Sequence, residues 1–258
     1  MIDIGINLIN KRFPDIPEVI ERAKFVDVKQ MILTGTSLIA SQKSLQWAQK
    51  YPKTFYATAG VHPHHAKDWD ATVESQIKKI AAAPEIVAIG ECGLDFDRDF
   101  SPRPVQESCF RAQLALAIDC QKPLFLHERA AFDRFVGIMT EYQGKLPKAV
   151  VHCFTGSVAE AKTYLDMGFY IGLTGAVTDE RRFGHLKDVI KMIPTDRLMV
   201  ETDAPFMLPK NIRNPPADRR NEPCYLPYIV RYIATHSQKS EKTIMENTTK
   251  VTKAFFGI

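Results

Sequence analysis

Eight short apolar runs recur along the chain, and their starts lie roughly 20 to 37 residues apart. That spacing leaves room for one strand, one loop and one helix before the next run begins. Continuous apolar runs are typical of parallel strands that helices cover on both faces. The runs are Ile2–Leu8, Met31–Thr36, Thr54–Gly60, Ile86–Glu91, Pro123–His127, Ala149–His152, Phe169–Leu173 and Leu198–Thr202. Eight such units predict a (β/α)8 TIM barrel, with an open doubly wound sheet as the alternative.

Length and composition are compatible with one folded domain over residues 1–258. The chain is 45% hydrophobic and 25% charged, which excludes a disordered or fibrous protein. No apolar stretch has the roughly 18 to 20 residues that a membrane-spanning helix needs, and the sequence does not open on a basic and then apolar leader. We therefore expect no membrane partner and a cytoplasmic location. The five cysteines form no Cys-x-x-Cys pair, so we expect reduced thiols.

Between the runs, apolar residues repeat with the spacing of helices. This pattern predicts one helix within 105–121 and another over 225–236. The stretch 209–223 contains four prolines and little periodicity, and we interpret it as a functional loop. Its basic residues could clamp phosphate oxygens or could form a solvated surface, and the sequence leaves both interpretations open. They are Lys210, Arg213, Arg219 and Arg220.

Ionisable residues end or follow several of the predicted strands. They are His62, His64, Glu91, His127, His152, Glu201 and Asp203. A (β/α)8 barrel builds its active site where its strands end, so we expect these side chains at one face. Side chains alternate along a strand, which makes one inward-facing ring plausible. Imidazoles and carboxylates that converge on a cavity predict a divalent-metal site, because buried carboxylates without a counter-charge repel one another.

Histidines are concentrated at these positions. Of the seven histidines, only His185 and His236 lie away from predicted strand ends. A single buried histidine is more often a structural hydrogen-bonding residue than a ligand, so the joint pattern carries the metal-site prediction. Cys92 and Cys153 adjoin two candidate ligands, but strand alternation turns them toward the helices.

Six short motifs occur in order along the chain: AGVHPH (59–64), AIGECGLDF (88–96), PLFLHER (123–129), VHCFTG (151–156), ETDAP (201–205) and RNEP (220–223). In order and spacing they resemble those of the TatD-type metal-dependent deoxyribonucleases, and the resemblance covers essentially the whole chain. It implies an amidohydrolase-like barrel and a magnesium-dependent 3′–5′ exonuclease for single-stranded DNA or RNA ends. DNA repair is the expected setting. We expect a monomer with no obligate protein partner.

The resemblance also assigns roles to individual residues. The residues that match the family's metal ligands and water-binding carboxylate are Glu91, His127, His152 and Asp203. Among them Asp203 is the expected catalytic residue, because it matches the carboxylate that binds or orients the hydrolytic water. His62 and His64 match the histidines on the substrate side.

The first strand departs from the family pattern. Many members carry His-x-His there, whereas this chain has Gly5 and Asn7, with Asp3 nearby on the same face. Neither Gly5 nor Asn7 can act as an imidazole ligand, so one or two metal ions remain possible. Imidazoles ordinarily suit zinc, manganese or iron better than magnesium. The resemblance nevertheless implies magnesium, with manganese as a substitute and zinc as another occupant.

Two other functions compete with a nuclease. The first is a hydrolase of a non-nucleic or ester substrate, such as D-aminoacyl-tRNA, on the same barrel. Two-zinc amidohydrolases usually keep His-x-His on strand one and a lysine on strand four, where this chain has Glu91, so this pattern favours the nuclease. The second is a non-catalytic nucleic-acid-binding protein, which predicts lost ligands. The net charge of +4 is compatible with a polyanionic substrate but is ordinary for a soluble enzyme.

Overall fold

The structure, a computed structural model, describes residues 1–258. It contains eight strands in one sheet, and the order of the strands in the sheet is their order in the chain. The strands are β1 (Ile2–Ile6), β2 (Gln30–Leu33), β3 (Phe55–Ala59), β4 (Ile86–Asp95), β5 (Leu124–Arg129), β6 (Ala149–Val151), β7 (Tyr170–Leu173) and β8 (Leu198–Val200). Strand pairing is parallel. Each predicted apolar run therefore overlaps one strand, although β2, β4 and β5 extend beyond their runs.

Helices connect successive strands and also follow the last one. They are α1 (Ile16–Phe25), α2 (Leu38–Lys50), α3 (Ala71–Ala81), α4 (Arg103–Cys120), α5 (Phe132–Glu141), α6 (Val158–Asp166), α7 (Glu180–Phe183), α8 (Leu186–Met192), α9 (Leu226–Ser237) and α10 (Glu241–Phe256), with 3-10 turns at Pro63–Asp68, Gly175–Thr178 and Pro223–Tyr225. The two predicted helices correspond to α4 and α9. Several helices begin at a side chain that accepts a backbone N–H, as Ser37, Asp70 and Ser157 do. No helix is both long enough and apolar enough to cross a bilayer.

The chain forms two compact units. The first unit consists of Met1–Leu33 and His152–Ile258, and the second unit is the continuous segment Thr34–Val151. The prediction of a single domain over 1–258 stays a prediction.

Within the first unit, the beginning and the end of the sheet meet. The backbone N–H of Asn7 donates to the Ala204 carbonyl at 2.7 Å, and that of Asp203 donates to the Gly5 carbonyl at 2.9 Å. Ile6 and Ala204 also form a parallel bridge. Because β1 to β8 follow one another in the sheet, these bonds close it, and the predicted (β/α)8 barrel is confirmed.

Within the second unit, β4 is the central element. All ten of its residues are buried, and it pairs with β3 on one side and β5 on the other. The register places Gly93 of β4 opposite His127 of β5. The predicted strand ends at Glu91, but the observed one continues to Asp95, which adds a second carboxylate to the same strand.

Candidate functional site

Three potential metal ligands lie together in the second unit. They are His62, Glu91 and His127, and one ligand atom from each lies within 4.8 Å of the other two. Glu91 Oε1 is 2.9 Å from His127 Nδ1 and 3.3 Å from His62 Nε2. Glu91 and His62 are buried, and the side chain of His127 is 18% exposed. Two imidazoles and a carboxylate at these distances are a donor set that binds divalent transition metals.

The local sequence of β4 explains how its carboxylates reach this cluster. Glu91, Gly93 and Asp95 alternate along the strand, so they share one face. Gly93 has a φ of +145°, and a Cβ at this position would lie 1.8 Å from the carbonyl oxygen of His127. Only glycine therefore allows β4 to approach β5 closely enough to place Glu91 and Asp95 beside His127.

Asp95 is a buried carboxylate that contacts two of the predicted site histidines. Its Oδ2 lies 2.8 Å from His64 Nε2 and 3.3 Å from His127 Nε2. Its Oδ1 accepts the backbone N–H groups of Asp97 and Arg98. Burial alone raises the pKa of Asp95, but the hydrogen bonds from His127, His64 and Arg98 outweigh burial and hold this pKa well below its usual range. Asp95 is therefore an anion that orients both imidazoles.

His62 is held by its position at the start of the 3-10 turn Pro63–Asp68. Its Nδ1 accepts the backbone N–H of His64 at 3.1 Å. The side chain of Gln113 fixes the preceding residue, because it accepts from the N–H of Val61 and donates to its carbonyl. Burial lowers the pKa of His62 to about 4, although Glu91 opposes this change. At neutral pH the His62 imidazole is uncharged, and its proton is on Nε2.

In the first unit, His152 follows β6 and contacts Glu201. The Nδ1 of His152 lies 3.3 Å from Glu201 Oε2, and Glu201 Oε1 accepts the backbone N–H of Cys153 at 2.6 Å. Gly172 makes room for this carboxylate, because a Cβ there would lie 2.7 Å from Glu201 Oε1. A carboxylate that accepts from Nδ1 sets the tautomer of an imidazole and leaves the Nε2 lone pair available to a metal.

Asp203 lies just after β8 and is held from several directions. The side-chain amide of Asn7 donates to Asp203 Oδ1 at 2.8 Å. The backbone of Asp203 has a φ of +53°, in the left-handed region. The preceding residue, Thr202, donates its N–H and its hydroxyl to Asp3, and burial raises the pKa of Asp3 to about 7. Asp3 and Asn7 therefore position the turn that carries Asp203.

The RNEP motif is part of this support. Asn221 is fully buried, and its side-chain amide donates to the carbonyls of Thr202 and Phe206, on either side of Asp203. Arg220 donates to Asp15 and to Glu222. Among the basic residues of the loop, Arg220 is therefore a structural ion-pair partner and not a solvated residue, whereas the exposed ones are Lys210, Arg213 and Arg219.

The six predicted site residues divide between the two units. The four in the second unit, brought together around Glu91 and Asp95, are His62, His64, Glu91 and His127. The two in the first unit, His152 and Asp203, follow β6 and β8. The sequence alone predicts no role for Asp95, and Asn221 stands out in it only as part of the RNEP motif. Strand alternation beyond Glu91 was the signal that could have found Asp95.

Together, the closed barrel and the His/Glu donor set at its strand ends define the class of metal-dependent (β/α)8 hydrolases. The model of the TatD-related DNase family matches residues 2–257. The chain belongs to this family, which confirms the resemblance seen in the motifs. The predictions of an enzyme and of a nuclease are likewise confirmed.

Relatives and solved structures agree with this assignment. The chain is 49% identical over 235 residues to the 3′-5′ ssDNA/RNA exonuclease TatD of Rahnella sp. (strain Y9602), covering 91% of this chain and 89% of that protein. It is 46% identical over 259 residues to the exonuclease of the same name from Enterobacter lignolyticus (strain SCF1), covering 100% and 99%. The crystal structure of a TatD homologue from Escherichia coli K12 superposes with a TM-score of 0.92 at 26% identity, covering 100% of this chain and 98% of the other.

Proposed function

We propose that the protein is a metal-dependent 3′–5′ exonuclease that hydrolyses the phosphodiester bonds of single-stranded DNA and RNA. The observation that carries the proposal is the buried cluster of His62, Glu91 and His127 in a chain of this family. The names of the relatives support the substrate and the direction of digestion. The relatives are named as exonucleases, which disfavours the D-aminoacyl-tRNA alternative.

The proposed metal ligands are Glu91, His127, His152 and Asp203. Two contacts within the units support this set: Glu91 Oε1 lies beside His127 Nδ1, and Glu201 holds the Nδ1 side of His152. We propose magnesium as the working ion, manganese as its substitute and zinc as another occupant. When bound, such an ion supplies a lowered pKa for the attacking water and positive charge opposite the phosphoryl oxygens.

In this proposal Asp203 is the general base. Its carboxylate accepts the proton of the attacking water, and Asn7, which donates to Oδ1, fixes the direction in which the carboxylate points. Positioned proton transfer of this kind contributes typically about a hundred- to ten-thousand-fold to the rate. Asn7 thus serves to orient Asp203.

His62 and His64 are proposed to act on the substrate side. A neutral His62 that accepts at Nδ1 carries its proton on Nε2, where it can donate to a phosphate oxygen or to the leaving group. This favours a donor role for His62 over a role as metal ligand, although its Nε2 lies close to Glu91. His64 is oriented for the same purpose by Asp95.

The test is digestion of a single-stranded oligonucleotide labelled at its 5′ end. We expect a ladder that shortens from the 3′ end with magnesium and no ladder with EDTA. Asp203→Asn should remove the ladder, whereas the control Asp196→Asn, at a side chain that is 75% exposed, should keep it. Turnover in Asp203→Asn at the rate of the control contradicts the role of Asp203. The absence of any ladder with either magnesium or manganese contradicts the function.

Three expectations from the sequence complete the proposal. The protein is cytoplasmic, it acts as a monomer without an obligate protein partner, and DNA repair is the setting in which it works. Sedimentation at equilibrium measures the monomer directly, and a dimer at micromolar concentration would contradict it.

A further inference from the structure

An exposed aromatic ring lies at the edge of the His62, Glu91 and His127 cluster. Phe100, in the loop between β4 and α4, is 59% exposed. Its ring centroid is 4.7 Å from that of His64, and the two rings meet edge to face at 60°. His64 in turn contacts Asp95. One side of the Phe100 ring therefore lies against a residue of the proposed substrate side, and much of the ring is open to solvent.

The loop that carries Phe100 is anchored at several points. Ser101 is fully buried and donates its hydroxyl to the His64 carbonyl at 3.1 Å. The amide of Gln106 donates to the carbonyls of Ser101 and Asp95, and its oxygen accepts the N–H of Asp95. Because these bonds fix the backbone on both sides of Phe100, little conformational entropy is lost when a ligand packs on the ring.

The charges of this loop do not favour a phosphate. Arg103 donates to Asp99, and Arg129 donates to Asp97. Arg98 lies 3.9 Å from the same Asp97 carboxylate. Cationic side chains that already face carboxylates attract a phosphate weakly, because the carboxylates repel it. An apolar π-face among neutralised charges instead suits the flat face of a nucleobase.

We propose that Phe100 is a stacking platform for a base close to the 3′ end of the substrate strand. This inference rests on the proposed exonuclease function and extends it by naming a base-binding residue. Every base has a π-face, so stacking on a phenyl ring holds a strand regardless of its sequence. An enzyme that shortens a strand one nucleotide after another needs contacts that tolerate each new end.

The test combines a protein variant with a substrate that lacks the base. For Phe100→Ala on an ordinary single-stranded oligonucleotide we expect KM to rise about five- to tenfold with kcat little changed. This rise is at the lower end of the range for base–aromatic stacking, because one side of the ring already contacts His64. For an oligonucleotide whose last two nucleotides at the 3′ end are abasic, the KM of wild type should be about five- to tenfold higher than on the ordinary oligonucleotide. The KM of Phe100→Ala should differ less than twofold between the two oligonucleotides, because this variant already lacks the stacking contact.

Two variants serve as controls. Phe25→Ala removes a ring that is 91% exposed at the end of α1, and it should behave as wild type on both substrates. Phe100→Trp keeps a larger π-face and should restore the wild-type KM. Thermal unfolding of Phe100→Ala should match that of wild type. The proposal is overturned if removal of the terminal bases raises KM by the same factor for Phe100→Ala and for wild type. It is also overturned if Phe100→Ala leaves the KM for the ordinary oligonucleotide unchanged.

Failure of the exonuclease function is a separate result. If wild type releases no nucleotide with magnesium or manganese, fluorescence anisotropy of the same two labelled oligonucleotides decides the stacking proposal. Five- to tenfold weaker binding by Phe100→Ala, confined to the strand that has its terminal bases, supports it. Equal affinities of Phe100→Ala and wild type, or no binding by either, overturn it.

Discussion

Replacement of Asn221 by alanine should destabilise the protein and slow its reaction. The side chain is fully buried and makes three hydrogen bonds: two from Nδ2, to the carbonyls of Thr202 at 2.8 Å and Phe206 at 2.7 Å, and one at Oδ1, from the N–H of Glu222 at 2.9 Å. Alanine keeps the backbone bond of residue 221 to Pro205 but removes all three side-chain bonds.

The expected loss of stability depends on which of the groups that bond to the Asn221 side chain remain shielded from water after its removal. The bond to the Phe206 carbonyl is only partly buried, so water can replace it, whereas the bonds to Thr202 and Glu222 are buried. A buried polar group left without a partner costs about 1–3 kcal/mol, and at about 1.5 kcal/mol each the two buried ones cost about 3 kcal/mol. For a chain of this size, each kcal/mol lowers Tm by roughly 2–4 °C, so we expect Tm to fall by about 6–12 °C.

Calorimetry and steady-state kinetics on the same preparation test this reasoning. Below Tm, the loosened turn should lower kcat by on the order of tenfold with a smaller change in KM, because the proton transfer proposed for Asp203 needs a fixed carboxylate. Asn211→Ala is the matched control, since Asn211 is exposed in the same loop and donates only to the Tyr228 carbonyl. It should change Tm by less than about 2 °C. A Tm for Asn221→Ala within 2 °C of that control refutes the argument.

Two further predictions concern acid stability and metal binding. Hydrogen bonds from Arg220 lower the pKa of Asp15 from 3.8 to about 2, so the stability that this ionised carboxylate contributes is present above pH 3.8 and is lost as the pH falls toward 2. Because the ion pair is partly exposed, we discount its contribution to about 1 kcal/mol. Urea unfolding should therefore show that the free energy of unfolding of wild type falls by about 1 kcal/mol more than that of Asp15→Asn over that pH interval. A difference between the two that does not change with pH would contradict this. Glu201→Gln keeps one acceptor for two donors, the Cys153 N–H and His152 Nδ1, so manganese affinity measured by calorimetry should fall about 10- to 100-fold. An unchanged affinity for manganese would show that Glu201 does not contribute to metal binding.

The strands could be located from the sequence because buried parallel strands leave continuous apolar runs. Their ends were harder to predict. The run at 86–91 stops at a charged residue, but β4 continues because Gly93, Leu94 and Asp95 still pair with β5. The run at 198–202 includes Thr202, which instead bonds to the side chain of Asp3 and leaves the strand. Polarity marks where a hydrophobic environment ends, whereas pairing with a neighbouring strand decides where a strand ends.

Only those site residues could be predicted whose type and position at a strand end indicate a metal ligand or an acid–base group. Histidines and carboxylates at strand ends were visible, and alternation placed Glu91 on an inward face. The support of Asp203 by Asn221 was not predictable, because it depends on a turn whose backbone carbonyls face an amide 15 to 19 residues further along. The pairing of Arg220 with Asp15 joins residues 205 apart, and no local pattern in the sequence records it.

The hydrogen bond from Asn7 to Asp203 joins residues 196 positions apart, so it also constrains when the protein can become active. At a translation rate of about 5–20 residues per second, β1 waits roughly 10–40 s for the strand that closes the sheet. The segment 34–151, which contains His62, Glu91 and His127, is complete long before Asp203 is made. A nascent chain therefore acquires two of the proposed metal ligands, Glu91 and His127, first and the proposed general base last, and the proposed reaction can begin only when synthesis has passed β8.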